Sequence, residues 1–376
     1  MTDTYRLYAM PHSLYSARAR SYLIKRGVQF TELSTGHESF KSEVLPLAQL
    51  PTIPTLVTPS GEVIRDGAAI IAHFEEPADW PSLPTSPRQR LLSLLFDVIG
   101  TDGLLRPAMH YRWNFPDDNL AFVRYHFIHS QRDTPQREEK TEHMMERMRH
   151  AARLFGVTDE TRPVVESLYK ELMKALDTHF QVYPYLFGGR PSIGDFGLLG
   201  PLYAHLGRDP YPLRLMQQHA PCLFRWVERM NRSDQDAPEF LAAGQDFLAN
   251  DEIPNTLVNV LKWVAEDFMP ETRAAAETLN AWLQSEQPEV GVPAVGRLAQ
   301  AAGTATFQLR GHSIEALAQP HRFYLLQRVH SYFDSMSPPS RGDAVALLSE
   351  LQMDSLMALR LEKPIVRRDN LEVWGT

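Results

Sequence analysis

This 376-residue chain has a single cysteine, no surplus of positive charge and no long apolar run. The lone Cys222 excludes an intrachain disulfide and a zinc site made of several thiolates, and its apolar neighbours in APCLFRWVERM predict a core thiol. A formal net charge of −8 argues against a nucleic-acid or anionic-membrane partner. No apolar run approaches the ~18 residues of a membrane-spanning helix, and the amino terminus lacks the features of a secretion signal. We therefore expect a cytoplasmic protein.

The first eighty residues alternate between strand and helix patterns. YRLYAM predicts a strand, ARARSYLIKRG a helix, VQFTEL a second strand and ESFKSEVL a second helix. The first crossover is expected to be right-handed, which makes the first two strands parallel.

The next stretch, LPTIPTLVTPSGEVIRDGAAIIAHFEE, predicts a hairpin followed by a helix. Residues 55–58 and 62–65 are expected to be strands joined by a tight turn at Pro-Ser-Gly. Asp66 is a suitable N-cap for the helix that follows. The hairpin would bring Ile53-Pro54 and Asp66-Gly67 together at one end of the sheet.

The resulting order β-α-β-α-β-β-α, with a proline opening the third strand, resembles the thioredoxin fold in its glutathione transferase form. The resemblance implies a cis Ile53-Pro54 bond, which would expose the Ile53 backbone for pairing with an extended peptide. In that family the peptide is glutathione, and Asp66 would meet its glutamyl amine. The sequence departs from the family at Gly67, where a serine usually holds the glutamyl carboxylate, and at Thr52, where a lysine or arginine is common.

The resemblance also implies a reactive hydroxyl at the start of the first helix, where it would stabilise the glutathione thiolate. The pattern S-x-x-S-x-R in PHSLYSARAR is similar to the serine-type, zeta-like classes and points to Ser13. Tyr8 is the runner-up because other classes use a tyrosine at the end of the first strand, and Tyr15 and Ser16 are further candidates. The alternative is that Ser13 only caps the helix.

After a linker marked by Pro81, Pro84 and Pro87, the periodicity becomes helical. Ser192 and Asp195 form an S-x-x-D capping box that resembles the start of a buried helix in the family, and we assign both residues to folding. The box lies late in the chain, which predicts an insertion at 115–158. His126 and His129 have a spacing that can bind metal, as do His143 and Glu146, but no second His-carboxylate pair lies nearby, so no metal site is expected.

The family's second-substrate pocket is lined by the first helix of the helical domain. Here LLRPAMHYRWNF places Met109, Tyr111, Arg112 and Trp113 near the end of that helix, with His110 among them. An apolar and aromatic wall with one arginine suits an aromatic or acidic electrophile. Ordinary packing between domains explains the same residues equally well.

The fold class predicted is an α/β thioredoxin-like domain (1–80), an all-α transferase domain (86–250) and an α+β extension (251–376) packed on the core. The extension contains no recognisable catalytic motif. The leading hypothesis is a glutathione transferase-like homodimer that uses glutathione as co-substrate to conjugate, isomerise or cleave a small-molecule electrophile. The alternative is a non-catalytic binding or scaffold protein with the same fold.

Overall fold

The computed structural model describes residues 4–75, 81–242, 244–294 and 302–376. Its amino-terminal part contains a four-stranded mixed sheet in the order β2-β1-β3-β4. The strands are β1 (Tyr5–Tyr8), β2 (Phe30–Leu33), β3 (Thr55–Val57) and β4 (Val63–Arg65). β1 and β2 are parallel, whereas β3 runs antiparallel to both β1 and β4. The predicted thioredoxin-like topology is therefore confirmed.

The helices of this part are α1 (Leu14–Lys25), α2 (Leu45–Ala48) and α3 (Gly67–Glu75). The helix expected at ESFKSEVL is less regular than predicted: Phe40–Val44 forms a π-helical turn that leads into α2. Pro46 lies at the start of α2 and has no N–H to continue the preceding helical ladder, so the helix begins anew there.

A run of helices follows, as expected for the helical domain. They are α4 (Pro87–Val98), α5 (Leu105–Trp113), α6 (Pro116–Ser130), α7 (Arg137–Leu154), α8 (Arg162–Phe180), α9 (Ile193–Ala204), α10 (Pro210–His219) and α11 (Pro221–Met230). A π-helical segment, Ile99–Gly103, joins α4 to α5. Cys222 is half-buried rather than a core thiol, because it lies in the first turn of α11.

The buried helix α9 begins with the predicted capping box. The Ser192 hydroxyl accepts a hydrogen bond from the Asp195 N–H, and the Asp195 carboxylate accepts one from the Ser192 N–H at 2.8 Å. The same carboxylate accepts the Leu186 N–H and the Trp226 indole N–H. Asp195 therefore joins α9 to the segment before it and to α11.

The described residues of the extension, 251–294 and 302–376, are folded into helices and two hairpins. Its elements are α12 (Asn255–Glu286), β5 (Thr304–Leu309), β6 (His312–Leu317), α13 (Pro320–Ser335), α14 (Pro338–Glu350), β7 (Ile365–Arg368) and β8 (Leu371–Trp374). α12 is one 32-residue helix that runs through Pro270. The expected hairpin turns at Arg310 and Gly311, and the expected extended end forms the β7–β8 hairpin.

One hydrophobic cluster joins the extension to the rest of the molecule. It includes Leu23 of α1, Leu95 of α4, Leu261 of α12 and Leu326 of α13, all fully buried. Within the part of the chain that the structure describes, no helix is both long and apolar enough to cross a membrane.

The β7–β8 hairpin is held against the edge strand β4. Arg65 pairs with the buried Glu372, and the Asn370 side chain accepts the Arg65 N–H at 3.0 Å and donates to the Val63 carbonyl at 2.8 Å. Polar groups of the extension thus cover an edge that would otherwise be available to another strand.

Candidate functional site

Three segments meet around Gly67. The Ile53-Pro54 bond is cis, as predicted, and the Asp66 N–H donates to the Pro54 carbonyl at 3.1 Å. A Cβ atom at Gly67 would lie 3.6 Å from the Tyr15 carbonyl and 3.8 Å from the Pro54 ring. The two ends of the hairpin are therefore together, and the first turn of α1 lies beside them.

The Ile53 backbone is unpaired at this point. Among the described residues, neither its N–H nor its carbonyl has a hydrogen-bond partner. Polar backbone groups left unpaired at the end of a sheet are suited to pairing with an extended ligand.

The first turn of α1 combines a cap with free N–H groups. Ser13 is the N-cap, and its hydroxyl accepts the Ser16 N–H at 3.3 Å. The N–H groups of Leu14 and Tyr15 have no partner within the described ranges, so they and the positive end of the helix dipole suit an anion. The Tyr15 side chain is 39% exposed, whereas the Ser16 side chain is fully buried.

Tyr8 belongs to a different part of the sheet. Its side chain is fully buried with Phe40, Val44 and Val57, and its hydroxyl makes a 2.6 Å hydrogen bond with the Ser39 hydroxyl. Leu14 and Ala17 of α1 instead pack in a separate cluster with α5 and α9.

Asp66 is held in a special backbone conformation at the start of α3. Its φ of 82° lies in the left-handed region, which aspartate tolerates better than most residues but at some cost. One carboxylate oxygen caps α3 by accepting the N–H groups of Ala68 at 2.8 Å and Ala69 at 3.3 Å. The other oxygen lies 3.5 Å from Nε2 of His321.

His321, at the start of α13, lies between two carboxylates. Its Nδ1 is 2.9 Å from the Asp102 carboxylate, on the opposite side from Asp66. Burial by itself would lower the pKa of His321, but Asp102 and Asp66 outweigh it and raise the pKa to about 10. Burial would likewise raise the pKa of Asp66, but His321 and Arg18 hold it well below its usual value. The pair is therefore an imidazolium and a carboxylate at neutral pH.

A second charged group lies next to this pair. Asp97 of α4 is buried and pairs with Arg18 of α1 and, at 3.0 Å, with Arg328 of α13. His321, Asp102 and Arg328 are not among the residues predicted from the sequence to form the site. The histidine is more than 250 positions from Asp66, and the sequence around it, AQPHRF, has no local signal for such a contact.

The space left at the site is small. The cavity bounded by Tyr15, Arg18, Asp66, Gly67 and neighbouring residues has room for about one water molecule. The loop after β2 is also in tight contact with the predicted insertion, because a Cβ atom at Gly36 would lie 2.6 Å from the backbone of Gln131. The extension and the insertion thus contact the amino-terminal part from two directions.

The residues proposed to line a second-substrate pocket are buried. Met109, Tyr111, Arg112 and Trp113 are each at most 7% exposed. The Arg112 guanidinium makes two hydrogen bonds to Asp209, at 2.6 and 2.9 Å, and one to the His12 carbonyl. Arg112 therefore joins α5 to the start of α1.

His126 of the insertion takes part in packing and hydrogen bonding. His126 stacks on His12 with ring centroids 5.2 Å apart, and its Nε2 lies 2.9 Å from the Arg208 guanidinium. Among residues 4–75, 81–242, 244–294 and 302–376, no group of three or more metal-binding side chains is arranged to hold a metal ion.

The comparisons with known proteins agree with the topology. Residues 7–82 match the family described as glutathione S-transferase, N-terminal domain. No match to this sequence is found among curated proteins.

Similar solved structures have low sequence identity and low TM-scores. A glutathione S-transferase from Rhodospirillum rubrum F11 is 15% identical with a TM-score of 0.40, covering 68% of this chain and 99% of that one. Glutathione transferase GSTFuA3 from Phanerochaete chrysosporium is 14% identical with a TM-score of 0.43, covering 61% and 97%. A glutathione S-transferase from Methylobacterium radiotolerans JCM 2831, in complex with glutathione sulfonate, is 18% identical with a TM-score of 0.35, covering 66% and 99%.

Proposed function

We propose that this protein is a glutathione transferase-like enzyme, because residues 7–82 match the glutathione S-transferase N-terminal domain family. It would hold a peptide thiol of the glutathione type at the site around Gly67. The bound thiolate would conjugate, isomerise or cleave a small electrophile.

The observation that carries the proposal is the unpaired Ile53 backbone before the cis Pro54. An extended peptide can add to the sheet there through two hydrogen bonds that depend on no side chain. The adjacent Gly67 N–H also has no partner among the described residues, and the amino-terminal end of α3 favours a carboxylate.

Ser13 and the free N–H groups of Leu14 and Tyr15 would stabilise the sulfur. A free thiol has a pKa of about 8.5, so only a few per cent is thiolate at neutral pH. Lowering that pKa by ~2 units requires about 2.7 kcal/mol of preferential stabilisation of the thiolate. A hydrogen bond from a hydroxyl, together with the dipole at a helix amino terminus, can supply a stabilisation of about that size.

The second substrate is proposed to approach beside α5. Met109, Tyr111 and Trp113 are buried, so they would support the apolar wall of its site from behind, while Arg112 would act by holding the start of α1 in place through the His12 carbonyl. The resemblance also implies a homodimer in which the first domain of one subunit contacts the second domain of its partner. Light scattering of the purified protein would test this state.

A non-catalytic binding or scaffold role is the second candidate. The small size of the cavity at Gly67 and the lack of a side chain at that position favour it, because a whole peptide needs more room and more contacts.

Two measurements distinguish the enzyme from the scaffold role. The first is titration calorimetry with reduced glutathione, and the second is a set of turnover assays with an aryl halide, an enone and an aryl ether. The enzyme proposal predicts binding of the thiol with an ultraviolet signal of bound thiolate and turnover of at least one electrophile class. Binding without turnover would favour the scaffold role, and lack of binding would refute the glutathione site.

A further inference from the structure

The imidazolium of His321 lies beside Asp66, the carboxylate that would bind the glutamyl amine of glutathione according to the family resemblance. One oxygen of Asp66 is used by the N–H groups of Ala68 and Ala69. The other faces Nε2 of His321 at 3.5 Å. The oxygen still open to an incoming ammonium group is therefore the one that the imidazolium already faces, so the two cations would compete for it.

The carboxylates around this point already have cationic partners. Asp66, Asp97 and Asp102 face the cations of His321, Arg18 and Arg328, and Arg65 adds a further positive charge close to Asp66. An ammonium group placed here would be desolvated without an unpaired carboxylate to compensate for it, and this is unfavourable in a buried site.

We propose that His321 is a specificity-determining residue, because its imidazolium takes the position beside Asp66 where the ammonium group of a ligand would bind. The site would thus select peptide thiols whose amine at that end is absent or acylated. This inference rests on the proposed function, and it narrows the ligand class. The carboxylate of such a ligand would still find the free Gly67 N–H and the positive charge of His321.

The groups that face His321 support this assignment. Asp66 approaches from the start of α3 and Asp102 from the segment after α4. On α13 itself the Tyr324 ring lies 6.1 Å from the imidazole, centroid to centroid. With a carboxylate beside each nitrogen, the ring is doubly protonated at neutral pH and fixed in orientation, so it acts there as a cation.

The test compares two ligands on the full chain. Calorimetry measures the affinity for glutathione and for γ-glutaryl-cysteinylglycine, in which hydrogen replaces the amine. We expect the unmodified protein to bind the two within about twofold, or to favour the amine-free thiol. A preference for glutathione greater than about twofold would overturn the inference while leaving the proposed function intact, and this comparison needs no variant.

The variants His321→Ala and His321→Gln test the residue directly. Removing the imidazole frees Asp66, so the affinity for glutathione relative to its amine-free analogue should rise about ten- to a hundredfold. His330→Gln is the matched control, because it lies on the same helix, is buried and bonds the Leu356 carbonyl away from Asp66. It should leave the ligand ratio unchanged.

The remaining outcomes are also decisive. If the ratio is the same in the His321 variants as in the unmodified chain, the inference is wrong even though a thiol binds. If His330→Gln changes the ratio as much, loosening of the extension rather than His321 is responsible, which also overturns it. If neither thiol binds to any form of the protein, the proposed function itself fails.

Discussion

Ser13 is the residue on which the chemistry of the proposed enzyme depends most. Its hydroxyl would bond the thiolate, whereas the peptide is held by backbone groups at Ile53 and Gly67. We therefore expect Ser13→Ala to lower turnover about ten- to a hundredfold and to raise the pKa of the bound thiol, with little change in affinity. Stopped-flow turnover and spectroscopic titration of the bound thiol measure both.

Tyr8→Phe is the matching control for Ser13→Ala. The Tyr8 hydroxyl already bonds Ser39 in a different cluster, so its removal should leave the pKa of the thiol unchanged. If Tyr8→Phe is the impaired variant and Ser13→Ala is not, the tyrosine-type assignment replaces the serine-type one.

Gly67 stands where the family usually has a serine. Its backbone can take a side chain, since the nearest atom to an added Cβ is the Arg18 Cδ at 3.4 Å. Gly67→Ser should therefore fold and add one hydrogen bond to the ligand carboxylate, strengthening thiol binding about two- to tenfold by calorimetry. Gly342→Ser is the control, because its added Cβ would meet nothing within 4 Å. Weaker binding by Gly67→Ser would contradict this placement of the carboxylate.

The ion pairs of His321 should make stability depend on pH. Its folded-state pKa of about 10 exceeds the unfolded value of ~6.5, so the folded state holds a proton that the unfolded chain releases. The stabilisation, roughly 3–5 kcal/mol, is complete below about pH 6.5 and is lost as the pH rises to about 10. The difference in free energy of unfolding between the unmodified protein and His321→Gln should shrink over that interval in urea titrations. A constant difference would show that the imidazole is not charged.

At the scale of single elements, the capping box of α9 gives a prediction independent of any ligand. Ser192→Ala removes the bond to the Asp195 N–H and should lower the free energy of unfolding by about 1–2 kcal/mol. Ser86→Ala is a matched control, since Ser86 also precedes a helix but makes no capping bond with its side chain, and it should cost under ~0.5 kcal/mol. If chemical denaturation shows the same loss in free energy of unfolding for both variants, the capping box does not contribute to stability.

The elements that could be predicted are those with a local signal. The cis proline, the hairpin after it and the Ser192–Asp195 box each depend on residues within a few positions of one another. The contacts of His321 with Asp66 and of Glu372 with Arg65 join residues hundreds of positions apart, and nothing in either short segment indicates its distant partner. The topology of the sheet could therefore be inferred from the sequence, whereas the presence of His321 beside Asp66 could not.

At the scale of the whole molecule, residues 251–376 complete the core. Leu261 of α12 and Leu326 of α13 share a cluster with Leu95 of α4, and Arg328 pairs with Asp97. Ending the chain at Asn250 should expose this apolar surface and leave Asp97 with a single partner, so the truncated protein should be poorly soluble. Soluble yield and thermal unfolding measure this. A soluble truncated form with the same unfolding temperature would show that the extension is an independent unit.

The attachment of the β7–β8 hairpin to β4 also has a consequence for biosynthesis. Arg65 and Glu372 are 307 positions apart, and at ~5–20 residues per second the ribosome needs roughly 15–60 s to proceed from one to the other. Throughout that interval the β4 edge has no hairpin beside it and can pair with another nascent chain. The protein is therefore most prone to aggregation while it is being translated, and slower elongation should increase that aggregation.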